Sequence, residues 1–310
     1  MVAVAMVRAN RNPARSVLRR WVAHRRRSLR RLQQGGKRRP QGTDGGLDQP
    51  PPPPACPQGG RTGPPDFVGV GVQRCGTTRW FELIASHPET VEPNTAKELH
   101  FFDRFHAGGF TQADVNRYHQ YFPRTEGRRA GEWTPLYMTA PWIPRLLAAA
   151  APQARLLVIL RDPVERYRSA LELNMRVADR RGAPLSRYAL TDAYMRGFYY
   201  LQLVNLLNWF DRSQVLVLQY ERCSREPETE LRRTYEFLGL GDTSFLPDLD
   251  RHPKQQPEKP MLDADDRDAF AKAYREDVLR LAEAFSEIDL RLWPNFSHLA
   301  GRQPGKSDQS

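Results

Sequence analysis

Cysteine is scarce in this chain. Only Cys56, Cys75 and Cys223 occur among 310 residues, with no Cys-x-x-Cys pair and no metal-ligand spacing. An odd, sparse set excludes a disulfide framework and fits a reducing, cytoplasmic setting. Lysine is also rare: six occur among 47 basic residues, an arginine bias that hints at a GC-rich, bacterial coding sequence. No run of about 18 consecutive apolar residues is present, which excludes a helical membrane span. The N-terminus has no apolar core of signal-peptide length.

The net charge of +11 suggests a polyanion binder until its distribution is read. Fourteen of the bases and two of the 36 acids (Asp44, Asp48) fall before residue 66, leaving 33 bases against 34 acids in the rest. The excess belongs to a leader, residues 1–65, so no specific nucleic-acid face is expected on the body. Arg8 to Arg39 is arginine-rich, with a weak helical pattern of Val17, Leu18, Trp21, Val22, Leu29 and Leu32. It reads as a solvated tail, as the product of a start codon placed too early, or as a basic amphipathic helix lying weakly on an anionic membrane surface or on nucleic acid. Gly35 to Pro65, including Pro50 to Pro54, reads as a disordered or polyproline-like linker. The body is expected over 66–296, followed by a disordered tail, 297–310.

What organises the body is the stretch from Asp66 to Glu82. Phe67 to Val72 is a short apolar run of strand type, buried on both faces. It leads through Gln73-Arg74-Cys75-Gly76 into Thr77-Thr78-Arg79-Trp80-Phe81, the opening of a helix. Strand, glycine loop and helix N-terminus make an anion site from converging N–H groups and the helix dipole. The spacing Gly71 to Gly76 and then Thr77-Thr78 matches the phosphate loop G-x-x-x-x-G-K-S/T except at the lysine, which is Thr77. The cation sits inside the loop instead, as Arg74. Such a loop suits a single 5′-phosphate with a small anionic group beyond it.

Further strands are read over Arg155–Leu160 and Gln214–Tyr220. Helices are read over Thr77–Ser86, Asp114–Phe122, Pro141–Ala151, Tyr188–Phe210, Glu226–Leu238 and Asp263–Phe285, with an extended segment from Gly131 to Met138. Asp162 is the N-cap and Pro163 the first turn of a helix carrying Arg166, Arg168 and Ser169, the two arginines read as surface charges, with Arg166 also within possible reach of a nucleotide. Alternating strands and helices predict an α/β fold, a central parallel β-sheet flanked by helices. Ligands of such sheets bind beyond the strand C-termini. Arg74, Thr77, Thr78, Arg161 and Tyr220 all fall at that edge.

Four motifs in order carry a family resemblance: GVQRCGTT (71–78), KELHFFD (97–103), EWTPLYM (132–138) and LLVILRDPVERYRSAL (156–171). They resemble sulfotransferases that use 3′-phosphoadenosine 5′-phosphosulfate (PAPS), above all the carbohydrate, heparan-sulfate type branch and its bacterial relatives, over about Asp66 to Trp293. The resemblance implies a P-loop-NTPase-like sulfotransferase fold with PAPS as co-substrate and no metal. By position, Arg74, Cys75, Gly76, Thr77, Thr78 and Arg79 would form the 5′-phosphosulfate loop. Arg161 and Ser169 would hold the 3′-phosphate, with Tyr220 beside them. Glu98 would be the catalytic base with His100 behind it, and Glu132 a second acid near the acceptor. Three departures stand out. The loop cation is arginine, Trp133 replaces a lysine frequent in the carbohydrate enzymes, and the C-terminal K-G-R loop with its disulfide is missing, leaving Lys254 and Lys259 as loose substitutes.

The chemistry such residues support is an in-line displacement at sulfur through a loose transition state, parallel to phosphoryl transfer. Arg74 and the helix amides neutralise the leaving phosphate, and Glu98, or in second place His100, takes the acceptor's proton. The acceptor is a carbohydrate, a lipid or another small molecule, with Tyr118, Tyr121, Phe122, Trp133 and Trp142 as cleft candidates. Two other readings remain: a phosphate-loop nucleotide kinase or NTPase, and a non-catalytic nucleotide-binding protein with a basic leader. Against the former stand Thr77 and the lack of an evident Mg²⁺-binding aspartate after a strand.

Overall fold

The computed structural model describes residues 50–91, 98–249 and 262–301. Four strands form one parallel sheet in the order β2-β1-β3-β4. They are β1 (Phe67–Gly71), β2 (Gly131–Trp133), β3 (Arg155–Leu160) and β4 (Val215–Gln219). Every residue of β1 and β4 is buried, as is β3 beyond Arg155. That matches the apolar runs, because helices cover both faces of such a sheet. Gly69 is required by close packing: a Cβ there would lie 1.9 Å from the Trp133 ring.

The helices follow in order: α1 (Thr77–Ala85), α2 (Gln112–His119), α3 (Ile143–Ala150), α4 (Pro163–Arg180), α5 (Arg187–Met195) and α6 (Tyr199–Leu207). After β4 come α7 (Tyr220–Arg225), α8 (Pro227–Leu238) and α9 (Ala264–Ala284). Local signals set the helix ends. Asp162 caps α4 by accepting from the N–H groups of Val164 and Glu165, and Gly239 ends α8 in the left-handed conformation. Since all four strands are parallel, the loop after β1, the turn after β3 and the start of α7 lie at one edge.

Four expectations need correction. The helix read over Tyr188–Phe210 is two helices, broken at Gly197, where a Cβ would sit 2.6 Å from the Tyr274 ring. The extended segment from Gly131 stops being strand at Trp133 and turns through Pro135, although N–H bonds from Thr134 to Gly69 O and from Met138 to Val70 O keep it beside β1. The Pro-rich linker is docked from Pro50 onward: the Tyr121 hydroxyl donates to Pro51 O at 2.6 Å and Arg124 to Pro64 O at 2.9 Å. Prolines have little chain entropy to lose and offer only carbonyls, which these two donors satisfy. The C-terminal tail begins packed, with a turn over Ser297–Leu299 that buries Leu299. The arginine-rich leader before Pro50, Lys254 and Lys259 lie outside the described residues. Among the described residues no helix is long and apolar enough to cross a membrane.

Candidate active site

The loop after β1 turns at Arg74 and Gly76, both in left-handed conformation, with φ of 73° and 81°. Gly76 stands at the N-cap of α1 with no side-chain cap, and no acid occupies the first helical turn. The amides that open α1 therefore have no internal competitor for an anion. Gly76 also admits the Tyr220 ring, which a Cβ would meet at 3.1 Å. That ring in turn lies 4.6 Å from the Arg161 guanidinium as a cation–π partner.

The two basic groups predicted to grip opposite ends of one ligand converge. Arg74 Nε donates to Ser169 Oγ at 3.1 Å, and Arg161 Nη1 donates to the Arg74 carbonyl at 3.3 Å. Ser169 and Arg161 are almost buried, at 5% and 8% exposure, so their polar atoms face the loop and not open solvent. Burial pulls the Arg74 guanidinium below its ordinary value, while the Glu172 carboxylate, 3.7 Å away, works in the opposite direction. Glu172 escaped the sequence reading; its signal was its place one helical turn after Ser169.

Other site residues fall differently. Thr78 is exposed beside Gly76, and Thr77 is buried. Arg79 donates through Nη2 to Leu249 O at 2.8 Å. Cys75 is corrected as a binding residue. Its N–H goes to Val72 O, its thiol is fully buried, and desolvation pushes the thiol pKa up to about 12. Arg166 is not a surface charge. It has no exposed surface, it donates through Nη2 to Ala193 O, and its helix face packs against α5 and α9. Asp162 follows a strand, as a metal-binding aspartate would. Its carboxylate, however, is spent on Val164 and Glu165 N–H and on the Asn295 main-chain and side-chain nitrogens at 3.0 and 2.9 Å.

The other residues chosen for chemistry lie in the segment Glu98 to Asp103. Glu98 and His100 both have positive φ, 73° and 50°, and with Arg74 they are the described non-glycine residues in that region. Such backbone costs roughly 1–3 kcal/mol per residue and persists where its surroundings enforce it. His100 lies between two acids, Nδ1 at 2.8 Å from Asp103 Oδ2 and Nε2 at 3.4 Å from Glu98 Oε2. Hydrogen bonds to Asp103 first and Glu98 second push the His100 pKa up to about 9. A pKa of that height keeps the imidazole protonated at neutral pH.

The expected acceptor cleft is corrected by burial. Tyr118, Tyr121, Phe122 and Trp133 are 0–4% exposed, and only Trp142 is half-buried. The Trp133 indole donates to Gly71 O at 3.3 Å and fills the space over Gly69. Glu132 is likewise no acid facing an acceptor. It is 4% exposed and accepts from the Tyr118 and Thr134 hydroxyls, both at 2.6 Å.

A parallel α/β sheet whose carboxyl edge carries a glycine loop running into an uncapped helix N-terminus is the architecture of a phosphate-loop type of fold. A family model described as a sulfotransferase domain matches residues 64–252, and the chain belongs to that family. Curated relatives include heparan sulfate glucosamine 3-O-sulfotransferase 3A1 of Mus musculus, 31% identical over 57% of this chain and 46% of that protein. Heparan sulfate glucosamine 3-O-sulfotransferase 6 of Homo sapiens is 31% identical over 58% of this chain and 54% of that protein. The chain thus spans about half the length of these relatives. A sulfotransferase crystal structure from Alicyclobacillus acidocaldarius covers 74% of this chain and 98% of its own, with a TM-score of 0.59 and 25% identity.

Proposed function

We propose that this chain transfers a sulfonate from PAPS to a hydroxyl or amine of a carbohydrate-type acceptor. The observation that carries the reading is the convergence of Arg74, Arg161 and Ser169 beside the uncapped start of α1. These groups fit a bisphosphorylated nucleotide: two guanidiniums, a hydroxyl and helix amides, with a glycine where a Cβ would crowd Tyr220. Bound there, the nucleotide supplies an activated sulfonate. The amides of Thr77 and Thr78 hold its 5′ end, Arg161 and Ser169 hold the 3′-phosphate, and Arg74 stands between the two. Lys259 is a further candidate contact.

Glu98 takes the proton of the acceptor as the acceptor oxygen bonds to sulfur and the bond to the leaving phosphate opens. Protonated His100, steadied by Asp103, keeps positive charge beside Glu98. The step as written asks for no metal, because the arginines and helix amides neutralise the leaving phosphate. The relatives' names support a sugar acceptor of the heparan type, and the half-buried Trp142, whose indole donates to Phe102 O at 3.4 Å, supplies a ring surface near that segment. The free thiols Cys56, Cys75 and Cys223 support a reducing, cytoplasmic location.

The test is incubation with PAPS and a panel of glycans, glycolipids and phenols, read by mass spectrometry for the gain of one sulfonate. Titration with PAP against ATP and Mg²⁺ accompanies it. Metal-independent PAP binding with sulfonation of a glycan is expected. Binding of MgATP in preference to PAP would overturn the reading.

A further inference from the structure

We propose that Glu132 and Tyr137 are positioning residues that hold the backbone around Glu98 and His100 in its left-handed course and so fix where the base stands. This rests on the reading of Glu98 as the base. The geometry is specific. The Leu99 N–H, between the two left-handed residues, is among the groups whose hydrogen bonding to the Glu132 carboxylate offsets the effect of its burial. The Phe101 N–H, just past His100, donates to the Tyr137 hydroxyl at 3.0 Å. The amides alternate around His100, and each meets a side-chain oxygen from one short segment. A backbone of this shape cannot form a regular ladder, so its N–H groups need acceptors placed for them.

The acceptors are themselves fixed. Glu132 lies on β2, in register with Val68 of β1, the strand that feeds the phosphate loop. Its carboxylate is locked by the Tyr118 and Thr134 hydroxyls, each at 2.6 Å. Tyr137 is 1% exposed, its ring 5.2 Å from that of Phe102 and edge-on to it. A continuous buried bridge therefore runs from β1 through β2 to Glu98. It ties the base to the element that presents the anion site. Neither Glu132 nor Tyr137 reaches solvent, so neither has a place in contact with an acceptor.

The test uses the full chain with Glu132→Gln and Tyr137→Phe, the second removing a single oxygen. Amide hydrogen exchange at Leu99 and Phe101 is measured first, because it needs no acceptor. Exchange should rise at Leu99 in E132Q and at Phe101 in Y137F, with β1, β3 and β4 amides still protected. PAP formation from PAPS with heparan sulfate as probe acceptor is measured next, together with PAP affinity. A misplaced base should lower turnover about 10²-fold while PAP affinity holds. The double variant E98Q/E132Q should be no slower than E98Q alone, since a residue acting through another adds nothing once that one is gone. Unchanged exchange at both amides in folded variants overturns the proposal, as does additive loss in the double variant. Should E98Q retain full turnover, the base assignment fails, while the exchange data still decide whether Glu132 and Tyr137 hold the turn. If E132Q does not fold, Y137F alone decides.

Discussion

Replacing Glu172 with glutamine should tighten binding of adenosine 3′,5′-bisphosphate. Glu172 Oε2 stands 3.7 Å from Arg74 Nη2, and both side chains are largely shielded, at 7% and 27% exposure. Two unit charges at that separation interact by about 4 kcal/mol at an effective dielectric of 20. Much of this is already offset, because Arg176 shares the carboxylate at 3.1 Å and the pair carries a desolvation cost. What a phosphate at Arg74 must overcome is the remaining competition plus direct repulsion from Glu172. Taking that at about 1.4 kcal/mol gives roughly a tenfold lower Kd for PAP in E172Q. Isothermal titration of both proteins with PAP at low and moderate salt reads this directly, and the gap should narrow as salt screens the charges. Equal or weaker binding by E172Q would refute the reasoning, showing that Glu172 orients Arg74 instead of competing for it.

Three further outcomes follow from the same coordinates. Glu98→Gln should lose turnover by about 10²- to 10⁴-fold, the usual worth of general-base help, with PAP affinity unchanged in the titration. His100 has a folded pKa near 9, above its ordinary 6.5, so the stability that its charge contributes is complete below pH 6.5 and gone above about 9. Melting curves of the parent and His100→Gln should therefore be furthest apart near pH 6 and draw together toward pH 9.5. A gap constant with pH would contradict the assignment. Gly69→Ala places a methyl 1.9 Å from the Trp133 ring, and since overpacking usually costs about 1–3 kcal/mol, chemical denaturation should show a loss of at least that size.

What could be read before folding was whatever depends on neighbours in sequence. The apolar runs of β1, β3 and β4, the Asp162-Pro163 start of α4 and the Gly239 stop of α8 are local signals, and the structure keeps them. Position in the parallel sheet then brings Arg74, Arg161, Ser169 and Tyr220 to one edge, as strand order and loop spacing require. What failed depends on partners far along the chain. Trp133 and Tyr118 are chemically as fit for a cleft as for a core, and only the packing over Gly69 and against Phe101 and Phe102 decides. Arg166 looked like any helix-face arginine until α5 and α9 closed over it. Pro50 to Pro65 had no pattern of burial, yet Tyr121 and Arg124 bind its carbonyls.

Among the described non-glycine residues, the left-handed conformations fall at Arg74, Glu98 and His100, the residues chosen by motif for chemistry. The two arms have different enforcers. Arg74 turns because its carbonyl is held by Arg161 and its side chain by Ser169, both groups that a nucleotide would engage. Glu98 and His100 turn because buried acceptors on the β2 segment demand it, and a nucleotide at the loop does not touch those acceptors. The anion arm is therefore free to change with its ligand, whereas the base arm is set by the fold. Substitutions around Ser169 and Glu172 should act on donor affinity, and substitutions under Glu98 on the rate of the chemical step. A Glu172→Gln variant with slowed turnover and unaltered PAP binding would break that division.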